Sequence, residues 1–161
     1  MEKKKYVLTM LVENEPGVTA RVTGLFAGRG YNIETICGAP TADPELSRIT
    51  ITTWAEPPQL EQCMKQIQRL TNVIKLRDMT GEETLKRELA LVCVDATPEH
   101  RVEILDIIED FHGKVIDIGT EQVTLEAVGK EGAIDTLLER LSPFGIKKLA
   151  RSGLLALYRE S

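Results

Sequence analysis

The sequence predicts an α+β fold in which one order of elements, strand–helix–strand–strand–helix–strand, occurs twice in 161 residues. Two observations carry this prediction. Short apolar segments bounded by turn residues have the character of strands, and they are interspersed with segments whose apolar residues recur at helical spacing. The polar segment 80–84 lacks apolar periodicity and separates the two halves. Each half is therefore expected to form a four-stranded antiparallel sheet with two helices on one face, the ferredoxin-like arrangement.

The first half begins with a strand at residues 6–13, in which apolar side chains alternate. A helix at 18–29 follows, and Gly30 is suited to the left-handed conformation that ends a helix. Pro57 and Pro58 open the second helix, whose predicted core face is Leu60, Met64, Ile67 and Leu70. The other strands of this half are predicted at 33–38, 47–54 and 73–78.

The second half repeats this order, beginning with a strand at 88–95. Thr97 and Pro98 supply an N-cap and a first-turn proline for a helix that runs through Phe111. The residues of this helix that are predicted to face inward are Ile104, Ile108 and Phe111. The other elements are strands at 114–119, 122–128 and 146–151 and a helix marked by Ile134, Leu137, Leu138 and Leu141.

These elements predict a first domain at 1–79, a linker at 80–87 and a second domain at 88–161. Each half has only about seventy residues, so its core is small and only marginally stable alone. A sheet with exposed edges is also a natural place for a partner. We therefore expect the chain to form an oligomer.

The composition excludes several classes of function. A net charge of −5, a pI near 5.2 and seven aromatic residues argue against a nucleic-acid-binding protein. No apolar stretch approaches the ~18 residues of a membrane span. Lys3, Lys4 and Lys5 precede an apolar run as in an export signal, but the run is short and is interpreted as the first strand. The three cysteines form no paired motif, which favours a reducing, cytoplasmic compartment.

One loop, Asn14-Glu15-Pro16-Gly17-Val18, has the features of an anion site. Pro16 fixes its own backbone, and Gly17 allows a ligand to approach the main chain. The first helical amides, from Val18 onward, have no partner within the helix and suit a carboxylate or phosphate. Asn14 could contact a carboxylate and an ammonium group together, so the loop suggests a free amino-acid site. A tight strand-to-helix turn is the simpler interpretation of these residues alone.

Residues that would indicate catalysis do not form a convincing set. The glycines near residue 30 end a helix, whereas a dinucleotide-binding fingerprint starts one, and a phosphate loop with its lysine is missing. Glu13 and Glu15 are interpreted as solvated charges, and Arg21 and Arg29 as a solvated helix face that could also steer an acidic ligand. The sequence therefore favours binding over catalysis.

The whole chain resembles one family through segments spread along its length. These are residues 11–17, 21–22, 25–26, 29–34, 40–41, 47–51, 87–92 and 150–153. The run Arg29-Gly30-Tyr31-Asn32-Ile33-Glu34, placed directly after such a helix, is specific to the small regulatory subunit of acetolactate synthase, also called acetohydroxyacid synthase. The glycine loop alone would indicate only an ACT domain, the ligand-binding module of many amino-acid-regulated proteins.

The resemblance implies an ACT domain followed by a second ferredoxin-like domain, assembled as a homodimer. In this family the small subunit has no cofactor or metal of its own and activates a separate catalytic subunit that uses thiamine diphosphate, magnesium and FAD. It also confers feedback inhibition by a branched-chain amino acid, usually valine. The effector lies between two ACT domains. Asn14, Pro16, Gly17 and Val18 are expected to bind it from one chain, and Asn32 and Ile33 from the other.

Two positions depart from the family pattern. Ala20 replaces a common serine near the first helical turn, and Cys93 replaces a common lysine in the strand that opens the second domain. The first departure is expected to weaken or retune effector binding. The alternative functions are a free-standing amino-acid sensor or transport regulator with tandem ACT-like domains and, more remotely, a small acyl-phosphate hydrolase.

Overall fold

The computed structural model describes residues 2–81 and 83–159, which form two compact units. The first unit comprises the described residues through Leu85 together with those from Leu154 onward, and the second comprises Lys86–Gly153. Each unit has the predicted order of elements around an antiparallel sheet, so the predicted α+β class is confirmed.

The first unit has four main strands and two helices. They are β1 (Lys4–Glu13), α1 (Val18–Gly28), β2 (Ile33–Pro40), β3 (Leu46–Ala55), α2 (Pro57–Gln68) and β4 (Val73–Asp78). The strands lie in the order β2-β3-β1-β4, and each neighbouring pair is antiparallel. Alternate residues of β1 therefore face opposite sides of the sheet, and the helices cover only one side.

The core of this unit lies between the sheet and its two helices. The core includes Leu8, Met10 and Val12 from β1, Val18, Val22 and Phe26 from α1, and Leu60, Cys63 and Ile67 from α2. Burial raises the pKa of the Cys63 thiol, although Arg29 partly opposes this. The prediction for α2 was correct for Leu60 and Ile67 but missed Cys63, while Met64 and Leu70 are only partly buried.

Gly30 ends α1 as predicted. Its φ of +72° lies in the left-handed region. The N–H of Gly30 donates to the Ala27 carbonyl at 3.1 Å, and that of Tyr31 donates to the Phe26 carbonyl at 3.0 Å. This pair of bonds is the Schellman arrangement, which satisfies the last carbonyls of the helix.

The second unit has the same order of elements. They are β5 (Thr84–Asp95), α3 (Arg101–Asp110), β6 (Lys114–Ile118), β7 (Gln122–Gly129), α4 (Ala133–Leu141), a short 3-10 turn (Ser142–Phe144) and β8 (Ile146–Arg151). The strand order is β6-β7-β5-β8. β5 begins within the segment that was predicted to be a linker, so this strand is longer than the predicted 88–95. The core of the second unit is filled by Ile104, Ile107 and Ile108 from α3 and by Ile134, Leu137 and Leu141 from α4.

The predicted N-cap of α3 was wrong. The helix begins at Arg101 with His100 at the N-cap, and the His100 N–H donates to the Thr97 carbonyl at 3.0 Å in a preceding turn. The guanidinium of Arg101 donates to the carbonyls of Ala96 and Thr120 at 3.2 and 3.1 Å. These bonds fix the start of the helix through tertiary contacts, which local capping residues do not encode.

A ninth strand, β9 (Leu155–Tyr158), was missed from the sequence. It pairs with β5, whose first residues lie in the same unit. Leu154 and Ala156 are 4% and 2% exposed and form a small cluster with Val7 and Met79. Since Val7 alternates with the core-facing residues of β1, this cluster lies on the side of the first sheet opposite its helices. The second structural unit thus ends at Gly153, whereas the predicted second domain extended to residue 161.

Among residues 2–81 and 83–159, no helix is both long enough and apolar enough to cross a membrane.

Candidate functional site

The loop between β1 and α1 places its backbone at the surface while anchoring the helix below it. Asn14, Pro16 and Gly17 are exposed, whereas the next residue, Val18, is buried in the core of the first unit. The buried valine fixes the start of α1 against the sheet. The exposed residues before it present their backbone to solvent.

Gly17 is the N-cap of α1 and has φ +85° and ψ −8°, a left-handed conformation. A side chain in this region is strained, so the backbone requires glycine here. A Cβ added to Gly17 would meet no atom within 4 Å. The space above the glycine is therefore open within one chain, and a ligand or a second chain could occupy it.

Within the described part of the chain, the first amides of α1 are weakly bonded or lack partners. The Val18 N–H has only a long contact of 3.4 Å with the Glu15 carbonyl, and no side chain caps the helix. The N–H groups of Thr19 and Ala20 have no acceptor among the described residues. Because these amides point along the helix dipole, they can receive a carboxylate. Because Ala20 has no hydroxyl, its side chain cannot accept hydrogen bonds from these amides in place of a ligand.

One end of the Asn14 side chain is already hydrogen-bonded within the chain. Its Nδ2 donates to the Pro44 carbonyl at 3.0 Å, and its backbone N–H donates to the Glu45 carbonyl at 2.7 Å. These bonds orient the side chain beside the helix start and leave Oδ1 as an acceptor. Asn14 is therefore suited to an ammonium group, and the carboxylate would depend on the helical amides.

A polar network that the sequence analysis missed lies beside this loop. Arg21 Nη1 donates to Asn72 Oδ1 at 2.5 Å. Asn72 Nδ2 in turn donates to Glu13 Oε2 at 3.2 Å and to Glu15 Oε2 at 3.4 Å. The guanidinium of Arg21 is thus directed toward the residue before β4 and is engaged within the chain.

Asn72 could have been found only through the topology of the sheet. β4 pairs antiparallel with β1, and Val12 is the partner of Val73. This pairing places the residue before β4 next to the residue after Val12. No local motif in the sequence marks this relationship.

The structure does not bring Asn32 and Ile33 to the same end of α1 as Gly17. Asn32 is exposed, its backbone carbonyl accepts a hydrogen bond from Thr53 Oγ1 at 2.8 Å, and Ile33 packs partly against the core. α1 has 11 residues and so is about 16 Å long, which separates the two groups of predicted site residues within one chain. Within one chain, the predicted site residues therefore lie in two separate places.

Metal-binding clusters are also missing from the described residues, since no group of three or more His, Cys, Asp or Glu side chains lies close enough to hold an ion. The candidate site consists of backbone amides, an asparagine and a glycine. These groups bind ligands through hydrogen bonds and charge, without a nucleophile or a general base.

Two family models match the chain. Residues 8–75, all in the first unit, match the model described as AHAS small subunit-like ACT domain. Residues 87–160 match the model described as small subunit of acetolactate synthase. The two matches together cover both halves of the predicted repeat and confirm the resemblance drawn from the sequence.

Whole proteins of this family are also similar to the chain over nearly its full length. The acetolactate synthase small subunit of Mycobacterium bovis is 42% identical over 99% of this chain and 95% of its own length. That of Aquifex aeolicus is 42% identical over 98% of this chain and 82% of its own. The crystal structure of the acetolactate synthase small subunit from Thermotoga maritima superposes with a TM-score of 0.88, at 32% identity over 98% of this chain and 99% of that one. The chain therefore belongs to the family of acetolactate synthase small subunits.

Proposed function

We propose that the chain is the non-catalytic regulatory subunit of an acetolactate synthase. In this proposal it binds and activates a separate catalytic subunit, which carries thiamine diphosphate, magnesium and FAD, and it confers feedback inhibition by a branched-chain amino acid, with valine as the first candidate. The observation that carries the proposal is the uncapped start of α1 in an ACT domain, where Thr19 and Ala20 leave two amides without acceptors. The three cysteines are free thiols, in keeping with a cytoplasmic location.

The proposed effector contacts follow from the chemistry of the half-site. The carboxylate of the amino acid would accept hydrogen bonds from the first amides of α1, and its ammonium group would donate to Asn14 Oδ1. The short aliphatic side chain would lie over Gly17, where the space is open. A second copy must close this exposed half-site, because one chain does not exclude solvent from it.

The topology of the first sheet supports an arrangement in which a second copy supplies Asn32. β3 is antiparallel to both β1 and β2, so β2 runs parallel to β1. The C-terminal end of β2 therefore lies at the same end of the strands as the Gly17 loop. Asn32, which precedes β2, lies at the opposite end of the strands. β2 is also an edge strand. If two copies pair antiparallel along β2 about a two-fold axis, Asn32 of each copy approaches the Gly17 loop of the other.

Reconstitution with the cognate catalytic subunit tests the proposal. The purified chain alone should form no acetolactate and bind no thiamine diphosphate. Added to the catalytic subunit, it should raise the rate of acetolactate formation several-fold and make that rate sensitive to valine, leucine or isoleucine. If a saturating excess changes neither the rate nor the thermal stability of the catalytic subunit, the chain is not its regulatory subunit. Amino-acid binding without co-purification of the catalytic subunit would instead support a free-standing sensor.

A further inference from the structure

A second candidate site lies on the face of the first sheet opposite its helices. A cavity of about 230 Å³ opens there, over Thr9 and Leu11 of β1. Leu157 and Tyr158 of β9 form another part of its lining. The cavity is thus on the other side of the sheet from the core that supports the Gly17 loop.

The register of the sheet brings three cations into this cavity. Leu11 pairs with Arg48 on one side and with Lys75 on the other, and Thr9 pairs with Arg77. All three basic side chains line the cavity. Because neighbouring strands are ~4.8 Å apart, the backbones of Arg48 and Lys75 are only roughly 10 Å apart across β1.

Within the described part of the chain, some basic side chains form ion pairs with carboxylates, whereas those in this cavity do not. Lys65, Arg140, Lys147 and Arg151 each form an ion pair with an acidic side chain. Among the residues that the structure describes, Arg48 and Lys75 have no such partner. The guanidinium of Arg77 lies 4.7 Å from the ring centre of Tyr158. The Tyr158 hydroxyl donates to Glu83 at 2.7 Å, so this carboxylate is engaged by the tyrosine.

Such clustering of like charges is unfavourable unless an anion neutralises it, and it occurs in a chain whose net charge is −5. Arg48 and Arg77 are also half-buried, which removes part of the water that would otherwise screen them. A guanidinium presents a planar set of donors that matches phosphate and carboxylate oxygens. The cavity is smaller than the ~300–1,000 Å³ that is usual for drug-sized ligands, so its ligand must be small.

We propose that this cavity binds a small multivalent anion that carries phosphate or carboxylate groups. Arg48 and Lys75 contact the anion from the two sides of β1, and Arg77 approaches from β4 with Tyr158 stacked against it. The site is separate from the amino-acid half-site at Gly17.

Titration of the full chain with pyrophosphate tests this proposal. Pyrophosphate and inorganic phosphate are added at constant ionic strength, and binding is measured by calorimetry and by backbone amide shifts in NMR spectra. Pyrophosphate should bind more tightly than phosphate and should shift the amides of β1, β4 and β9. Lys75→Gln should weaken pyrophosphate binding by about tenfold, since it removes one charged contact to the anion and the Lys75 side chain is exposed. Lys65→Gln, which removes an equal charge from α2, should leave it unchanged.

Arg48→Gln provides a second variant, and combined with Lys75→Gln it should abolish measurable binding in a protein that keeps its melting transition. Equal weakening by Lys65→Gln and Lys75→Gln would show general charge attraction and overturn the proposal. So would failure of the wild-type chain to bind pyrophosphate at millimolar concentration. If the substitutions leave anion binding unchanged but disrupt the complex with the catalytic subunit, the cations belong to a protein interface and the anion site is wrong.

Discussion

Arg151 donates two hydrogen bonds to a single carboxylate oxygen of Glu88, from Nε at 2.7 Å and from Nη2 at 2.5 Å. The Glu88 side chain is only 5% exposed. Arg151 Nη2 also lies 2.9 Å from Asp135 Oδ1 in the first turn of α4. A single guanidinium therefore connects β8, β5 and α4 within the second unit.

Replacing Arg151 with Met should destabilise the second unit. The substitution retains apolar volume but leaves the buried carboxylate of Glu88 without its donors, which should lower the free energy of unfolding by about 3 kcal/mol. We place the loss at the low end of the range for buried pairs because a third of the arginine side chain is exposed. Urea unfolding of the full chain measures this change. The double variant Arg151→Met/Glu88→Leu should recover most of the loss, and a loss that persists would mean that packing, not charge, is responsible.

Replacing Gly17 with Asp should abolish feedback inhibition while leaving activation of the catalytic subunit largely intact. The new carboxylate would occupy the space over the loop and compete for the amides that receive the effector's carboxylate. Loss of ~3 kcal/mol of binding would weaken the affinity about a hundredfold. The test is to measure inhibition of the reconstituted enzyme by valine, leucine and isoleucine separately.

Gly132 supplies a matched control for this variant. It is the N-cap of α4, has φ +85° and ψ −18°, and a Cβ there would also meet no atom within 4 Å. Gly132→Asp therefore imposes the same backbone strain at a position outside the proposed site. Inhibition should survive in this control. If both variants lose it equally, strain and not site occupancy is the cause.

Mixing two defective variants should restore effector binding if the site is shared between copies. Asn32→Ala removes side-chain hydrogen bonds and should weaken binding about tenfold, more mildly than Gly17→Asp. In a mixed dimer of these two variants, one site carries both changes and the other carries neither. After equal mixing and reassociation, about a quarter of all sites should have wild-type affinity by calorimetry. Complete absence of tight sites would place both residues in one chain's site.

Replacing Leu154 with Ala should destabilise the first unit, although this residue follows the last strand of the second. Leu154 is buried against Val7 and Met79, so truncation should cost about 2–3 kcal/mol. Leu155→Ala is the control, because the Leu155 side chain is 50% exposed. Hydrogen exchange of the β1 amides should accelerate in the first variant and stay near wild type in the second. Faster exchange confined to β8 would contradict the assignment.

The order of the elements could be predicted because each carries a local signal. Alternation marked the strands, Pro57 marked the start of α2, and Gly30 marked the end of α1. These signals depend on residues that are close in sequence, and the elements that they mark were found within a few residues of their observed ends.

The features that were missed depend on contacts between distant residues. β9 has only four residues, too few to show a period, and its burial depends on Val7 and Met79. Asn72 lies near Glu13 only because β4 pairs with β1. Gly17 and Val18 could be proposed as a helix-start site from local chemistry. The hydrogen bond from Asn14 to the Pro44 carbonyl could not be predicted, because it depends on the loop before β3.

The burial of Leu154 and Ala156 in the first unit has a consequence for the order in which the protein folds during synthesis. Val7 precedes the second unit in the chain, and its partners Leu154 and Ala156 follow it, so they are translated only after that unit. Until those residues are made, an apolar patch on the sheet of the first unit stays uncovered. Such a patch can be bound by chaperones or associate prematurely with other chains. Because this contact joins residues that are far apart in sequence, we expect its formation to be a slow step in folding.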